Sequence, residues 1–494
     1  MIAAPFLRAP PYPQPCPDLA LTYPRPDAPC ADLPPDAIEL LREARVGGAF
    51  WRAEDPWDLV EQAGSLTAPG NDERVAIATV LSLPVIVTVP GLYGQPGDGP
   101  ERLRQRLLDL LGRMTFRDPF SGKDSSFLAT VALLAQWRRE IKANRQIGAA
   151  LGMAWWKRRE IRRFLWVPER RLQIARSASG ALAAARSAGA ALAVWPSRVS
   201  PELLATAKAQ DTQIVRVEDG FVRSVGLGSN LVPPSSIVVD SRGIHFDPSG
   251  PSDLEHIIET TAFTPALVQR AARLRETIVT AGISKYAAGN DESTPPRTKA
   301  SRLVLVPAQV EDDMSVIAGG GGLASNLELL RRARALEPDA EIWFRPHPDV
   351  DAGHRKGAVA DSDALQYADR VVRGGGMAPL LDAVDAVHVL TSLTGFEALM
   401  RGREVTCHGT PFYARWGLTR DLGAVPERRR RRLQLDELVA AVLILYPRYL
   451  DPVTGLPCPP EVLVQRMASA QATNRLGWLA PLRRWQGQFM ARLR

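Results

Sequence analysis

Carboxylates and one histidine crowd into two short runs of this 494-residue chain, Val306-Pro-Ala-Gln-Val-Glu-Asp-Asp-Met-Ser315 and Phe344-Arg-Pro-His-Pro-Asp349. Taken alone, Asp313 reads as a cap or turn aspartate, the common fate of Asp at a loop–helix junction. Set among Glu311, Asp312 and Ser315 it reads differently, because like-charged carboxyls raise one another's pKa and are costly unless used or paired. His347 stands between Pro346 and Pro348, whose fixed φ stiffens the loop. It is either a structural histidine or, beside the charge of Arg345, a hydrogen-bond partner for a phosphate or sugar acid. Glu218-Asp219-Gly220, followed by Arg223 and Ser224, is by spacing a plain turn. Facing Asp313 across a cleft, Glu218 would complete the pair that glycosyl transfer with retention needs, one nucleophile and one acid/base. Thr391-Ser-Leu-Thr-Gly-Phe-Glu397 is an ordinary N-cap or an anion seat of backbone N–H groups at a helix start. The runs Gly319 to Gly322 and Gly374 to Gly376 fit no phosphate-loop fingerprint and read as flexible loops. Five consecutive arginines, Arg428 to Arg432, read as a solvated face or as a patch for anionic lipid headgroups.

The elements that must position these groups are legible from periodicity. Each of the first two runs follows a β-branched or aromatic stretch (302–306 and 341–344), with an apolar helical pattern at 326–336 between them. That is a βαβ pattern, and in open parallel sheets ligands bind beyond the carboxyl ends of the strands. Glu311, Asp312, Asp313, Arg345 and His347 are therefore expected at one sheet edge, while the Thr391 run follows a strand at 386–390 and begins a helix. Upstream, an Ala-rich helix (174–188), strands at 191–195 and 213–217 with a helix at 201–209 between them, an apparent hairpin (236–240 with 243–247) and helices at 252–262 and 264–281 form a second βα half. A polar stretch at 289–300 links the two. The fold class predicted is α/β, with two Rossmann-like domains between which a donor nucleotide would lie, followed by a helical tail.

An internal repeat adds to this. Phe116-Arg-Asp-Pro-Phe-Ser-Gly122 and Tyr449-Leu-Asp-Pro-Val-Thr-Gly455 share one turn pattern, each followed by a helix reaching Asn-Arg, at Asn144 and Asn474. More weakly, 76–93 parallels 396–413 as helix, strand and turn ending in Tyr. The expected organisation is an extended segment over 1–35, a degenerate partial module with a helical segment over 36–179, a first Rossmann-like half over 180–290, a second over 300–425, and C-terminal helices over 426–494.

At 45% hydrophobic the chain can bury more than one core. Its four cysteines lie far apart with no C-x-x-C, which argues against a disulfide framework or zinc site and for a reducing compartment. The N-terminus carries no apolar core of signal-peptide length. The twenty uncharged residues from Val75 to Gly94 are broken by Pro84 and Pro90 and read as buried core. A net charge of +7 suits anionic partners. No nucleic-acid-binding motif accompanies it, so a nucleic acid is not the expected partner.

The runs Arg216 to Ser229, Gln309 to Ser315, Arg345 to Val350, Thr391 to Leu399 and Pro411 to Thr419, in that order, resemble the KpsC (LipA) family of capsular polysaccharide biosynthesis proteins. The resemblance is dense over 180–494 and loose over 36–180. It implies a retaining β-Kdo transferase taking Kdo from CMP-β-Kdo onto a lyso-phosphatidylglycerol-based glycolipid acceptor, peripheral on the cytoplasmic face of the inner membrane. It makes Asp313 the nucleophile and Glu218 the acid/base. His347, with Ser392 and Thr394, would hold CMP and the Kdo carboxylate. Gln309, Glu311, Ser315, Arg223, Arg345, Pro348, Thr391, Gly395 and Glu397 are the other motif residues it places around substrate. Neither a cofactor nor a metal is implied, and other capsule biosynthesis or export proteins are implied as partners. The family resembles two tandem transferase modules, whereas nothing before residue 180 here matches the acidic or Pro-His-Pro runs. One active site and one linkage type are expected. A transferase for another CMP-activated acidic sugar, or a non-catalytic scaffold, are the competing readings.

Overall fold

Apolar strands with no alternation must be covered on both faces, and the longest such runs here build a parallel sheet. The computed structural model describes residues 5–13, 21–24, 33–222, 232–284, 302–351, 353 and 355–469. From the N-terminus the elements are β1 (Thr22–Pro24), α1 (Ala37–Ala44), α2 (Pro56–Ala63), β2 (Leu66–Ala68), α3 (Glu73–Val80), β3 (Val85–Val87), α4 (Pro100–Gly112), β4 (Met114–Phe116) and α5 (Phe127–Arg145). β2 and β3 are parallel, and β1 pairs antiparallel with β4. Val75 to Val80 is buried except for half-buried Thr79, as the uncharged stretch predicts, although Ile86 and Val89 reach the surface.

Next come β5 (Ile147–Leu151), α6 (Arg158–Phe164), β6 (Gln173–Ile174), α7 (Ala178–Ser187), β7 (Ala191–Val194), α8 (Pro201–Ala209), β8 (Ile214–Asp219), β9 (Ser236–Asp240), α9 (Asp253–Thr260) and α10 (Pro265–Thr280). The remaining elements are β10 (Leu303–Pro307), α11 (Met314–Gly319), α12 (Asn326–Leu336), β11 (Glu341–Arg345), α13 (Pro348–Asp351), α14 (Asp361–Ala364), β12 (Arg370–Val371), α15 (Met377–Ala383), β13 (Ala386–Val389), α16 (Leu393–Met400), β14 (Glu404–Cys407), β15 (Arg420–Asp421), α17 (Leu435–Val439), β16 (Pro447–Leu450), β17 (Pro457–Cys458) and α18 (Pro460–Ala468). Between α17 and β16 the helix widens into a π-type turn at Ala440–Leu445.

β10 to β15 form one all-parallel sheet in the order β12-β11-β10-β13-β14-β15. The order reverses direction between β10 and β13, the switch point at which doubly wound sheets open a ligand crevice. Every residue of β10 is buried, between the cores on the two faces of the sheet.

The second sheet runs β17-β16-β9-β8-β7-β5-β6. Its β5 to β8 portion is parallel, but β9 is antiparallel to β8 and to β16. The hairpin expected from 236–240 and 243–247 does not form. The Asp240 carboxylate accepts the N–H groups of Arg242, Gly243 and Asp253 and the Tyr446 hydroxyl, which turns the chain away from a second strand. The expected boundary at 179/180 also falls inside this sheet, because β5 and β6 precede it. The segment from 426, expected as helices, returns β16 and β17 to the same sheet before α18. Sheet edges recruit strands by pairing geometry, which periodicity along one segment does not encode. The linker expected at 289–300, the helical continuation through Asn474 and much of 1–35 lie outside the described residues.

The repeated turns coincide in detail. The Asp118 carboxylate accepts N–H groups of Phe120 and Ser121, and Gly122 N–H donates to the Asp118 carbonyl at 2.8 Å. The Asp451 carboxylate likewise accepts from Val453 and Thr454, and Gly455 N–H donates to its carbonyl at 2.7 Å. Gly122 and Gly455 both sit at φ +71, the left-handed region glycine enters without a steric cost.

Candidate active site

The loops leaving β10, β11 and β13 converge at the switch point around a cavity of about 480 Å³. Of the expected residues, Gln309, Asp313, Ser315, Arg345, His347, Pro348, Thr391, Ser392 and Thr394 line it. The Gln309 amide ties two of these loops together. Its Oε1 accepts the Thr391 N–H at 2.8 Å and its Nε2 donates to Thr391 Oγ1 at 3.1 Å. Thr391 Oγ1 donates in turn to Ser315 Oγ at 3.4 Å, and Ser315 Oγ donates to Asp313 Oδ1 at 2.7 Å. Ser315 N–H also reaches that oxygen, at 2.9 Å, so Asp313 is the N-cap of α11 as well as part of the cavity wall. The capping and catalytic readings are thus compatible: the cap fixes one oxygen of the carboxyl.

The three consecutive acids are not a shared charge cluster. Asp312 pairs with Arg355 at 3.0 Å, while Glu311 accepts the Asn326 N–H at 2.8 Å, outside the cavity lining. Glu311 is therefore a helix-start partner for α12, which spacing alone did not separate from a substrate contact. Gly395 and Glu397 do not line the cavity either. A Cβ at Gly395 would collide with the Tyr413 hydroxyl, which donates to the Ser392 carbonyl, so glycine there serves packing. Glu397 is buried within α16. Arg223 and Ser224 lie outside the described residues.

Ser392 caps α16, its Oγ accepting from Thr394 N–H at 3.2 Å and donating to Thr394 Oγ1 at 3.0 Å. His347 Nδ1 accepts the Asp349 N–H at 3.2 Å, which puts the proton of the neutral ring on Nε2. Arg345 is buried and donates to the carbonyls of Val372, Gly374 and Gly375, so its guanidinium braces the loop after β12. The glycines at 374 and 375 are consequently cavity walls rather than the flexible loop expected. That loop brings Arg373 to the cavity, held by Asp351 at 3.0 Å and Asp361 at 2.6 Å. Arg373 and Asp351 were missed, although Asp351 lies four residues beyond His347 in a run otherwise noticed.

Glu218 is the last but one residue of β8 in the other sheet and is not part of the cavity lining. Its carboxyl is pushed up to about 7, first by burial, then by the neighbouring Asp219 charge, with a smaller contribution from Asp313. The two carboxyls are thus near enough to feel each other. The opposing influence is Lys157, whose Nζ lies 2.8 and 2.9 Å from the Asp219 oxygens and 3.6 Å from the Trp195 ring centroid. Lys157 precedes α6 and gave no signal in the sequence, because its partner is sixty-two residues away.

The five-arginine run is neither a plain solvated face nor an open lipid patch. Arg429 is buried and pairs with Glu255 at 2.7 Å, Arg428 pairs with the same carboxylate at 2.6 Å, and Arg431 donates to the carbonyls of Ile258 and Thr261. The run straps α9 to the loop after β14, leaving Arg430 and Arg432 exposed. Among the described residues no helix is long and apolar enough to cross a membrane, and no three His, Cys, Asp or Glu side chains form a metal-binding group.

Fold and site together define a mixed α/β protein with a cavity of mixed polar and apolar lining at the carboxyl edge of a doubly wound sheet. The profile of the capsule polysaccharide biosynthesis proteins matches residues 190–449, more than half of the chain. The chain is 40% identical over 362 residues to the capsule polysaccharide modification protein LipA of Neisseria meningitidis serogroup A, which is 73% of this chain and 51% of that protein. It is 46% identical over 239 residues to the lipopolysaccharide-processing protein LpsZ of Rhizobium meliloti, covering 47% and 54% of the two. It spans about half the length of these curated relatives. Two solved structures of Thermosulfurimonas dismutans KpsC are similar. Its β-Kdo 2,7 transferase aligns with TM-score 0.54 at 32% identity over 65% of this chain and 99% of that one. Its β-Kdo 2,4 transferase aligns with TM-score 0.51 at 37% identity over 56% and 86%. The chain belongs to the KpsC/LipA family of capsule polysaccharide biosynthesis proteins.

Proposed function

We propose that the protein is a retaining β-Kdo transferase of GT-B architecture, using CMP-β-Kdo as donor and a Kdo-bearing lyso-phosphatidylglycerol glycolipid as acceptor, with one working active site. The observation that carries this reading is the Asp313 carboxyl, fixed by the Gln309–Thr391–Ser315 relay on a cavity wall, with its charge acting on the Glu218 carboxyl that burial and Asp219 push up.

In this reading CMP lies against the start of α16, where Ser392, Thr394 and the helix N-terminus meet the phosphate charge. A metal ion has no assigned part. Asp313 forms a bond to the anomeric carbon as the bond from that carbon to the phosphate oxygen breaks, the electron pair leaving with CMP. The acceptor hydroxyl then attacks the same carbon from the opposite face, expelling the Asp313 carboxylate and restoring the original configuration. Glu218 takes the hydroxyl proton. A carboxyl at about 7 is populated in both forms at neutral pH, which suits an acid/base. His347 orients the donor through Nε2–H.

Mass spectrometry of the protein incubated with CMP-Kdo alone, then digested, tests this. One added Kdo on the peptide carrying Asp313, absent from Asp313→Ala, is expected. Transfer to acceptor at the native rate by Asp313→Ala would overturn the nucleophile, and turnover of CMP-sialic acid in place of CMP-Kdo would overturn the sugar.

A further inference from the structure

The strongest unassigned feature is a surface on and around α6. Trp155 is 59% exposed just before it, and Arg159 and Arg171 are exposed nearby. Arg162 feels the charges of Arg171 and Arg158, and its buried Nε has no hydrogen-bond partner among the described residues. Burial and then the like charges of Arg171 and Arg158 pull Arg162 below the usual guanidinium value. Of the acids along this stretch, Glu169 pairs with Arg145 at 2.7 Å and Asp219 with Lys157. Guanidiniums gathered on one surface favour an anionic partner.

Placement says what the partner is. α6 follows β5 at the carboxyl edge of the second sheet, where β7 delivers exposed Arg198 against Gly152 and β8 delivers Glu218. Lys157, one residue before α6, turns inward to Asp219 while Trp155 turns out to solvent. An exposed indole flanked by arginines is the chemistry of a phospholipid interface: the ring sits at headgroup depth and the guanidiniums meet the phosphates. We infer that Trp155, Arg158, Arg159, Arg162 and Arg171 form the surface by which this protein sits on an anionic phospholipid bilayer, presenting the edge that carries Glu218 to a membrane-borne acceptor. Only the second half of that statement rests on the proposed transferase reading. The exposed Arg430 and Arg432, on a strap already committed to α9, are not part of this surface.

Co-sedimentation of the full chain with phosphatidylcholine vesicles, with and without a quarter phosphatidylglycerol, tests the surface without turnover. Binding should require phosphatidylglycerol and weaken as salt rises. Arg159→Gln with Arg171→Gln, both exposed and so safe for folding, should weaken it about thirtyfold, at roughly fivefold per arginine. Trp155→Ala should weaken it severalfold, and Arg430→Gln with Arg432→Gln should leave it within about twofold. Transfer to a water-soluble Kdo glycoside should be unchanged in the Arg159/Arg171 variant. Native vesicle binding by that variant, or loss of binding on changing Arg430 and Arg432 instead, overturns the assignment. So does saturable binding of inorganic phosphate that depends on Arg159 and Arg171, which would make the patch a soluble-anion pocket. Intact vesicle binding with no transfer to any acceptor would remove the transferase reading and leave the surface standing.

Discussion

The unit β2–α3–β3 and the unit β13–α16–β14 are the same parallel βαβ element at two places in the chain, and the second opens onto the cavity at the switch point. Asp72 stands at the start of α3 where Ser392 stands at the start of α16, and both side chains cap the helix. The difference lies in charge and in what fills the mouth. Asp72 places a carboxylate at the helix N-terminus and is paired with Arg74 at 2.6 Å. Glu73 beside it is spent on the Ala49 N–H and on Arg8. The turn at 89–94 then closes over the strand ends: Gly70 N–H donates to the Val89 carbonyl and Tyr93 N–H to the Gly70 carbonyl, at 2.8 and 2.7 Å. Gly70 and Gly91 approach so closely that a Cβ on either would strike the other's backbone. At α16 the cap is a neutral hydroxyl and the strand ends face open space. A βαβ unit thus supplies an anion seat only when its helix N-terminus carries no anion of its own and its mouth is not occupied by its own chain.

The largest effect that would sharpen this comparison is at the group with no counterpart in the closed unit. Asp313→Asn should lower transfer by about 10⁴-fold or more in a coupled CMP-release assay while leaving the melting temperature nearly unchanged, because Asn still caps α11. Glu218→Gln should cost about 10²- to 10⁴-fold in kcat and abolish the titration near 7 in the pH–rate profile. The same variant should alter stability. With its carboxyl raised from 4.5 to about 7, folded Glu218 keeps a proton that the unfolded chain has released. That cost is absent below 4.5 and complete above about 7, so Glu218→Gln should raise the unfolding free energy at pH 8 by on the order of 1 kcal/mol or more, and little at pH 4, in a denaturant titration.

Ser392→Asp copies the closed unit's cap onto the open one. It should raise the donor KM by about ten- to a hundredfold by placing a carboxylate where the phosphate binds, without unfolding the chain. An unchanged KM there would break the comparison. Gly395→Ala should destabilise by about 1–3 kcal/mol in a denaturant titration, because its Cβ would displace Tyr413 from Ser392. The smallest effect is expected from Asp72→Ser, which exchanges one good cap for another: no change in transfer and less than about 1 kcal/mol in stability.

What was legible in advance follows from how local each signal is. The helix at 326–336 and the strands beneath the two acidic and histidine runs were readable because burial on both faces leaves its mark on adjacent residues. The Asp118 and Asp451 turns were readable because each closes within seven residues of sequence. Glu311 and Asp313, two positions apart, could not be told apart, since the direction a loop side chain takes depends on what it meets, here Asn326 for one and Ser315 for the other. The five-arginine run misled for the same reason: its carboxylate, Glu255, lies more than one hundred and seventy residues away.

By itself the sequence determined the strands and helices of the sheet that carries the cavity, the repeat, the five motif runs and the residue kinds available for chemistry, because helix and strand periods, caps and tight turns are written within a few neighbouring positions. Only the tertiary structure decided that β5, β6, β16 and β17 complete one sheet. It also decided that Lys157 stands over Asp219 beside Glu218, and that Arg345 braces a glycine loop which delivers Arg373 to the cavity. Those outcomes depend on pairing and desolvation between segments far apart in the chain, where no local pattern fixes which partner wins.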